Sequence, residues 1–172
     1  LRKESFSRKL ANHMIDIAPE QFEMSIIEIG HLPMYNQDYD AEASTPPSYI
    51  AFREEVRALD GFLFITPEYN RSYPAVIKNA LDVGSRPFGK GVWAGKPGGV
   101  MSISIGGIGG FGANHHLRQV LCFLNVYLLQ QPESYVGNIS QYIDEEGHVI
   151  NEITQKILQD YMTAFATWVE KH

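Results

Sequence analysis

The chain has 172 residues, 44% of them hydrophobic and 20% charged, a balance that fits one globular domain and excludes disordered, collagen-like and coiled-coil chains. Fourteen Lys and Arg stand against 20 Asp and Glu, a net charge of −6, so the basic footprint of a nucleic-acid binder is missing. Cys122 is the one cysteine; it excludes an internal disulfide and a Cys-based zinc site, and it suits a reducing, cytoplasmic compartment.

The opening segment LRKESFSRKL is basic but has no apolar run behind it, so it does not read as a secretory signal. Phe6, Leu10, Met14 and Ile17 then form the apolar stripe of a helix, with Ser5 or Ser7 as its cap and a stop near Pro19. Residues 22–29, FEMSIIEI, read as a short strand. A polar loop runs to Pro47, and Ile50, Phe52, Val56 and Leu59 mark a second helix. FLFIT, residues 62–66, is apolar throughout, as in a strand covered on both faces of a parallel sheet.

Residues 74–86 read as a helix with Pro74 in its first turn, and 98–104 as another strand. The glycine-dense loop 106–112 feeds a long apolar helix expected over 113–129. Its most apolar part, Val120 to Leu129, is ten residues long, against the roughly 20 that a membrane span requires. A last strand is expected at 135–139, and a helix at 151–170 with Leu158, Tyr161, Met162 and Phe165 on its buried stripe. Alternating helices and strands predict an α/β fold, a parallel sheet with helices on both faces. Such a sheet normally opens on a strand, whereas this chain opens on a helix, so a first strand is expected to be missing from the chain as given.

Open α/β sheets bind ligands at the carboxyl ends of their strands, which directs attention to three segments. At the start, Arg2, Lys3, Arg8 and Lys9 surround Ser5 and Ser7 at a helix N-terminus, a place where amides and dipole favour an anion. An ordinary serine cap on a solvated terminus explains the same residues equally well. The second segment, TPEYNRSYP at 66–74, offers Tyr69 and Tyr73 as aromatic faces and the Asn70 amide to a planar heterocycle, although its residue types also favour a plain turn.

In the third, Gly107, Gly109 and Gly112 match the G-x-G-x-x-G spacing of dinucleotide sites, with Glu133 near the ribose-binding offset. About 105 residues precede that match, whereas a Rossmann fingerprint follows the first strand. A backbone loop lying against a flat ligand is therefore the preferred reading. No metal-ligand set is visible, because the adjacent His115 and His116 diverge on a helix and are assigned to its surface. Cys122, within VLCFL, reads as a core residue.

LRKESFS at the start, TPEYNRSYPAVIKNALD at 66–82, WAGKP at 93–97, the serine-glycine loop at 104–110 and HLRQVL at 116–121 together resemble the NADPH-dependent FMN reductase family, which includes bacterial quinone and chromate reductases. The likeness runs over nearly the whole chain. It implies a single flavodoxin-like, FMN-binding domain over 1–172, a three-layer sandwich with a parallel sheet in the order 2-1-3-4-5. Arg2, Ser5 and Ser7 match the family's phosphate loop and would bind the FMN phosphate. Pro67, Glu68, Tyr69 and Asn70 would line the isoalloxazine, and the backbone of Ser104, Gly106, Gly107, Ile108 and Gly109 would meet its pyrimidine edge. Val83 stands where the family commonly has Trp.

The implied enzyme holds FMN without a covalent link, takes a hydride from NADPH or NADH, and passes it to quinones, flavins or other small oxidants in a two-step exchange. The flavin carries the chemistry, so no side chain is assigned a catalytic role. The family also implies a homodimer or homotetramer. A flavodoxin-type electron carrier without nicotinamide turnover is the alternative, and a cofactor-free interaction domain is a third.

Overall fold

The computed structural model describes residues 2–172. α1 (Phe6–Asp16) opens on Ser5, whose backbone is extended and whose Oγ accepts the Arg8 amide at 3.3 Å. Ser5 rather than Ser7 is thus the cap. Residues 22–29 join no strand ladder among the described residues, unlike the strand expected there. Their sides still alternate, with Met24 in one apolar cluster and Ile27 and Ile29 in the other. Alternation sets where side chains point, but a strand also needs a neighbour's amides and carbonyls, and no described segment offers them.

Two short 3-10 turns lead to α2 (Pro47–Ala58), β1 (Phe62–Pro67) and α3 (Ala75–Gly84), for which Pro74 is the cap residue. β2 (Pro97–Ile103) pairs in parallel with the whole of β1, from Phe62 opposite Gly98 to Pro67 opposite Ile103. Its other edge is shared by β3 (Tyr127–Leu128) and β4 (Ser134–Val136), both parallel. The described sheet thus runs β1-β2, with β3 and β4 both on the far edge of β2. No strand among the described residues pairs with the other edge of β1.

α4 (Phe111–Phe123) is shorter than expected, because Asn125 adopts a left-handed backbone with φ 58° and turns the chain out of the helix. The apolar run beyond it becomes β3 and two buried residues, Val126 and Leu129. An unbroken apolar run suits a covered strand as well as a helix. Likewise the last strand stops at Val136, Asn138 turns left-handed with φ 52°, and α5 (Ile139–Tyr142) follows. α6 (Glu152–Lys171) is capped by Asn151, whose side chain accepts the Thr154 amide at 2.9 Å.

Successive residues of β2 feed opposite layers, Val100 one cluster and Met101 the other. The first cluster joins Tyr49, Phe52 and Val56 of α2, Leu81 of α3, Leu117 and Leu121 of α4, and Trp93. The second joins Leu10 and Met14 of α1 to Leu158, Tyr161, Met162 and Phe165 of α6. The result is a helix–sheet–helix sandwich. α6 lies so close that a Cβ at Gly99 would sit 2.7 Å from the Tyr161 hydroxyl; glycine permits this approach. No helix among the described residues is long and apolar enough to cross a membrane.

Candidate functional site

Because β1, β2 and β4 run parallel, the loops after Pro67, Ile103 and Val136 leave from one end of the sheet. Gly106 accepts the Asn138 amide at 3.2 Å and Ser104 the Ile139 amide at 3.1 Å, which joins the second and third of these loops. The segment continues to Asp144 and Glu145, whose carbonyls accept Lys9 Nζ at 3.3 and 2.7 Å. The first turns of α1 are thereby held beside the same end.

The opening turn of α1 keeps the means to bind an anion. The Phe6 and Ser7 amides have no acceptor among the described residues, and Ser5 caps only Arg8. Arg2 is exposed, with its guanidinium 5.1 Å from the Phe6 ring centre. Arg8 and Lys9 are engaged elsewhere: Arg8 grips Glu28 in a bidentate pair at 2.6 and 2.8 Å, and Lys9 meets Glu4 at 3.3 Å. Arg2 and Lys3 are the exposed cations of this segment with no acidic partner among the described residues.

The loop after β1 is a tight hairpin. The Tyr69 amide donates to the Ser72 carbonyl at 2.7 Å, and the Ser72 amide to Tyr69 at 3.0 Å. Asn70 and Arg71 between them both have positive φ, 51° and 68°, as a two-residue turn of this hand requires. Tyr69 and Asn70 are exposed, and the Asn70 side chain has no hydrogen bond among the described residues. Pro67 ends β1. The Glu68 carboxylate accepts the Ala113 amide at 3.1 Å. Gly110, the cap residue of α4, has no side chain to do this, so Glu68 supplies the missing cap.

In the loop after β2, Ser104 Oγ accepts the Gly106 amide at 3.0 Å. The Gly107 and Ile108 amides have no acceptor among the described residues. A Cβ added at Gly106 or Gly107 would meet nothing nearer than 3.6 or 3.9 Å, whereas one at Gly109 would strike the Tyr135 backbone at 2.6 Å. The loop thus has a packed rear and an open front edge. Free amides, a bare backbone edge and an exposed amide side chain fit a flavin ring, and the α1 turn fits its phosphate. The dinucleotide fingerprint is not used as one: Gly109 and Gly112 are wedged against Tyr135 and Arg71.

Three features escaped the sequence reading. Asn79 of the K-N-A motif is buried; it accepts the Tyr35 amide at 2.7 Å and donates to the Leu32 and Pro33 carbonyls at 3.3 and 2.9 Å. Asn114 is also buried, donating to Ser102 Oγ and the Ser134 carbonyl and accepting from Arg118 Nε. His115, assigned to plain helix surface, meets the Tyr135 hydroxyl at 3.0 Å. Burial pushes the Tyr135 phenol up to about 12, with Glu133 adding to the shift and Arg118 opposing it. Cys122 is exposed rather than in the core, since it lies on the outer side of α4. Asp144, Glu146 and His148 bring their ligand atoms within 4.8 Å of one another, outside the three loops.

The chain is similar to known proteins over nearly its whole length. A family model described as NADPH-dependent FMN reductase matches residues 1–141. The chain is 49% identical over 170 residues to a quinone reductase of Pseudomonas putida, spanning 99% of this chain and 90% of the relative. It is 44% identical over 169 residues to the 2-hydroxy-1,4-benzoquinone reductase of a Burkholderia species, spanning 98% and 91%. Among solved structures, FerB of Paracoccus denitrificans, a flavoenzyme NAD(P)H:(acceptor) oxidoreductase, superposes with a TM-score of 0.93 at 38% identity. That match covers 100% of this chain and 93% of the other.

Proposed function

The chain belongs to the NADPH-dependent FMN reductase family, and from that premise we propose how its three loops divide the work of an FMN-dependent NAD(P)H:quinone reductase. The enzyme takes a hydride from NADPH or NADH and passes it to a quinone, a flavin or another small oxidant. FMN, when bound, supplies the hydride chemistry; the chain supplies position. Arg2, the Ser5 and Ser7 hydroxyls and the Phe6 and Ser7 amides hold the phosphate at the positive end of α1. Tyr69 and Asn70, beside Pro67, hold one side of the ring, and the backbone from Ser104 through Gly106, Gly107, Ile108 and Gly109 holds the other. Glu68 ties the first of these loops to α4 and so sets the spacing between them.

The observation that carries this reading is the set of amides at Phe6, Ser7, Gly107 and Ile108 that have no acceptor among the described residues, gathered at one end of the sheet. Its support as an enzyme rather than an electron carrier is that the relatives named above are reductases. The protein acts in the cytoplasm as one domain over 1–172, in a homodimer or homotetramer. Phe123 on α4 is 89% exposed and Phe111 50%, the kind of outward apolar surface that a second copy covers.

The test is an absorbance spectrum of the purified protein, then anaerobic titration with NADPH or NADH, then addition of a quinone. Flavin bleaching by the nicotinamide and its return with the quinone are expected. Failure to take up FMN overturns the reading, and a stable blue semiquinone without nicotinamide turnover assigns the chain to electron carriage instead.

A further inference from the structure

Resting on the reading above, we infer that Arg71 receives a phosphate group of the nicotinamide donor and so sets how tightly NADPH or NADH docks. Of the four described residues other than glycine with positive φ, three are asparagines and the fourth is Arg71, at φ 68°. Asparagine tolerates that backbone, and the second residue of a two-residue hairpin of this hand favours glycine. Arginine is strained there. The turn itself gives no reason for it, so the reason lies in the side chain.

The backbone that carries this side chain is fixed. Tyr69 and Ser72 exchange backbone hydrogen bonds across the turn, a Cβ on Gly112 would meet the Arg71 carbonyl at 2.6 Å, and Ser72 Oγ lies 3.1 Å from His116 Nδ1. The guanidinium is not fixed. Its side chain is 73% exposed, and its one acidic partner among the described residues, Glu68 Oε1, lies 3.4 Å away, beyond the roughly 2.7–2.9 Å of a firm charge-assisted bond. The other oxygen of that carboxylate is taken by the Ala113 amide. Glu68 therefore draws the guanidinium toward the first turn of α4, where the glycine loop ends, and leaves its remaining donors without an acceptor among the described residues.

Charge identifies the ligand. Both nicotinamide donors carry a pyrophosphate, and NADPH a further 2′-phosphate, whereas the chain has a net charge of −6 and repels such anions except at a local cation. Lys78 on α3, the helix after the hairpin, is held by Asp82 at 2.6 Å. Arg2 and Lys3 stand at the α1 turn, where the flavin phosphate is placed. Arg71 is the cation of the loop that holds the ring, one residue from Asn70, and its planar fork matches two phosphate oxygens at once.

The experiment compares Arg71→Gly and Arg71→Lys holoenzymes with the unaltered one. In Arg71→Gly the KM for NADPH and the Kd for NADP+, the latter by calorimetry on the oxidised holoenzyme, rise about tenfold or more, as loss of a hydrogen bond to a charged group entails. The kcat changes less than KM, and the difference from the unaltered enzyme shrinks at high salt. Tm does not fall, because glycine relieves the strained turn and an exposed ion pair adds little. Arg71→Lys, which keeps the charge but not the fork, recovers part of the affinity. An equal rise in KM for NADH assigns the contact to the pyrophosphate, and a rise confined to NADPH assigns it to the 2′-phosphate. Unchanged KM and NADP+ affinity in Arg71→Gly overturn the inference, as does a Tm or FMN content that falls in step with them, which would leave Arg71 a structural part only. Unaltered protein that binds NADP+ but is not bleached by NADPH strikes instead at the reductase reading.

Discussion

The Glu68 carboxylate accepts the Ala113 amide at 3.1 Å, so a loop that follows β1 caps a helix that follows β2. The bond crosses 45 residues of chain and fastens together two of the three loops that surround the site. Gly112 between them has no room for a side chain, since a Cβ there would lie 2.6 Å from the Arg71 carbonyl and 3.0 Å from Glu68 Oε2.

Glu68→Ala should therefore act twice. Losing a helix cap costs about 0.5–2 kcal/mol of stability, and the loosened loops should bind FMN more weakly. Glu68→Gln, which keeps an oxygen acceptor, should recover most of both. Urea unfolding and FMN titration of the two variants measure this, and equal FMN affinity in Glu68→Ala and the unaltered protein would contradict the coupling.

Asn79→Ala should destabilise the fold by roughly 1–3 kcal/mol, since it strands the Tyr35 amide and two carbonyls in a buried place. In a chain of this size that amounts to a fall in Tm of about 2–4 °C per kcal/mol. Differential scanning calorimetry gives the value.

The two ends of the cofactor site can be tested separately. Arg2→Ala and Asn70→Ala should each weaken FMN binding by about 1–3 kcal/mol, roughly 5- to 150-fold in Kd. Arg2→Ala should lose more of its effect than Asn70→Ala when salt is raised, because only the former removes a charge pair. Fluorescence titration at two ionic strengths distinguishes them.

Two glycines of one loop should behave oppositely. Gly107→Val places a side chain in open space, so FMN binding should be lost with little change in Tm. Gly109→Ala forces a Cβ into the Tyr135 backbone at φ 67°, and Tm should drop before cofactor binding is considered. Melting curves of the FMN-free proteins make the comparison.

Alkaline titration carries a definite sign. Burial raises the Tyr135 phenol from 10.0 to about 12 and pushes the Tyr161 phenol up as well. The folded state therefore holds these protons more tightly than the unfolded chain. The associated stability is complete below pH 10 and is lost as pH climbs through the raised values. Absorbance at the phenolate band should show late-titrating tyrosines, one fewer in Tyr135→Phe.

Several elements could be read from local pattern because local physics makes them. The Phe6–Leu10–Met14 stripe, the all-apolar strand at 62–66 and the buried stripe of the last helix depend on residues within a turn or two of one another. The motif loops at 67–70 and 104–109 were legible for a similar reason, since they follow strands of a parallel sheet. The same local physics misplaced the end of α4, where an apolar run suited helix and strand alike until Asn125 turned the backbone.

What the amino-acid order determined by itself was the alternation of helix and strand, the parallel sheet it entails and the loops that follow its strands. The tertiary structure alone decided what individual polar residues do there. It made the Glu68 carboxylate a helix cap, spent Arg8 on Glu28, buried Asn79 against Tyr35 and brought His115 to Tyr135. It also left residues 22–29 without a ladder among the described residues. Apolar periodicity is written over a few neighbouring positions, whereas a hydrogen bond needs two groups within about 3 Å, and for partners tens of residues apart only the packing of whole layers sets that distance.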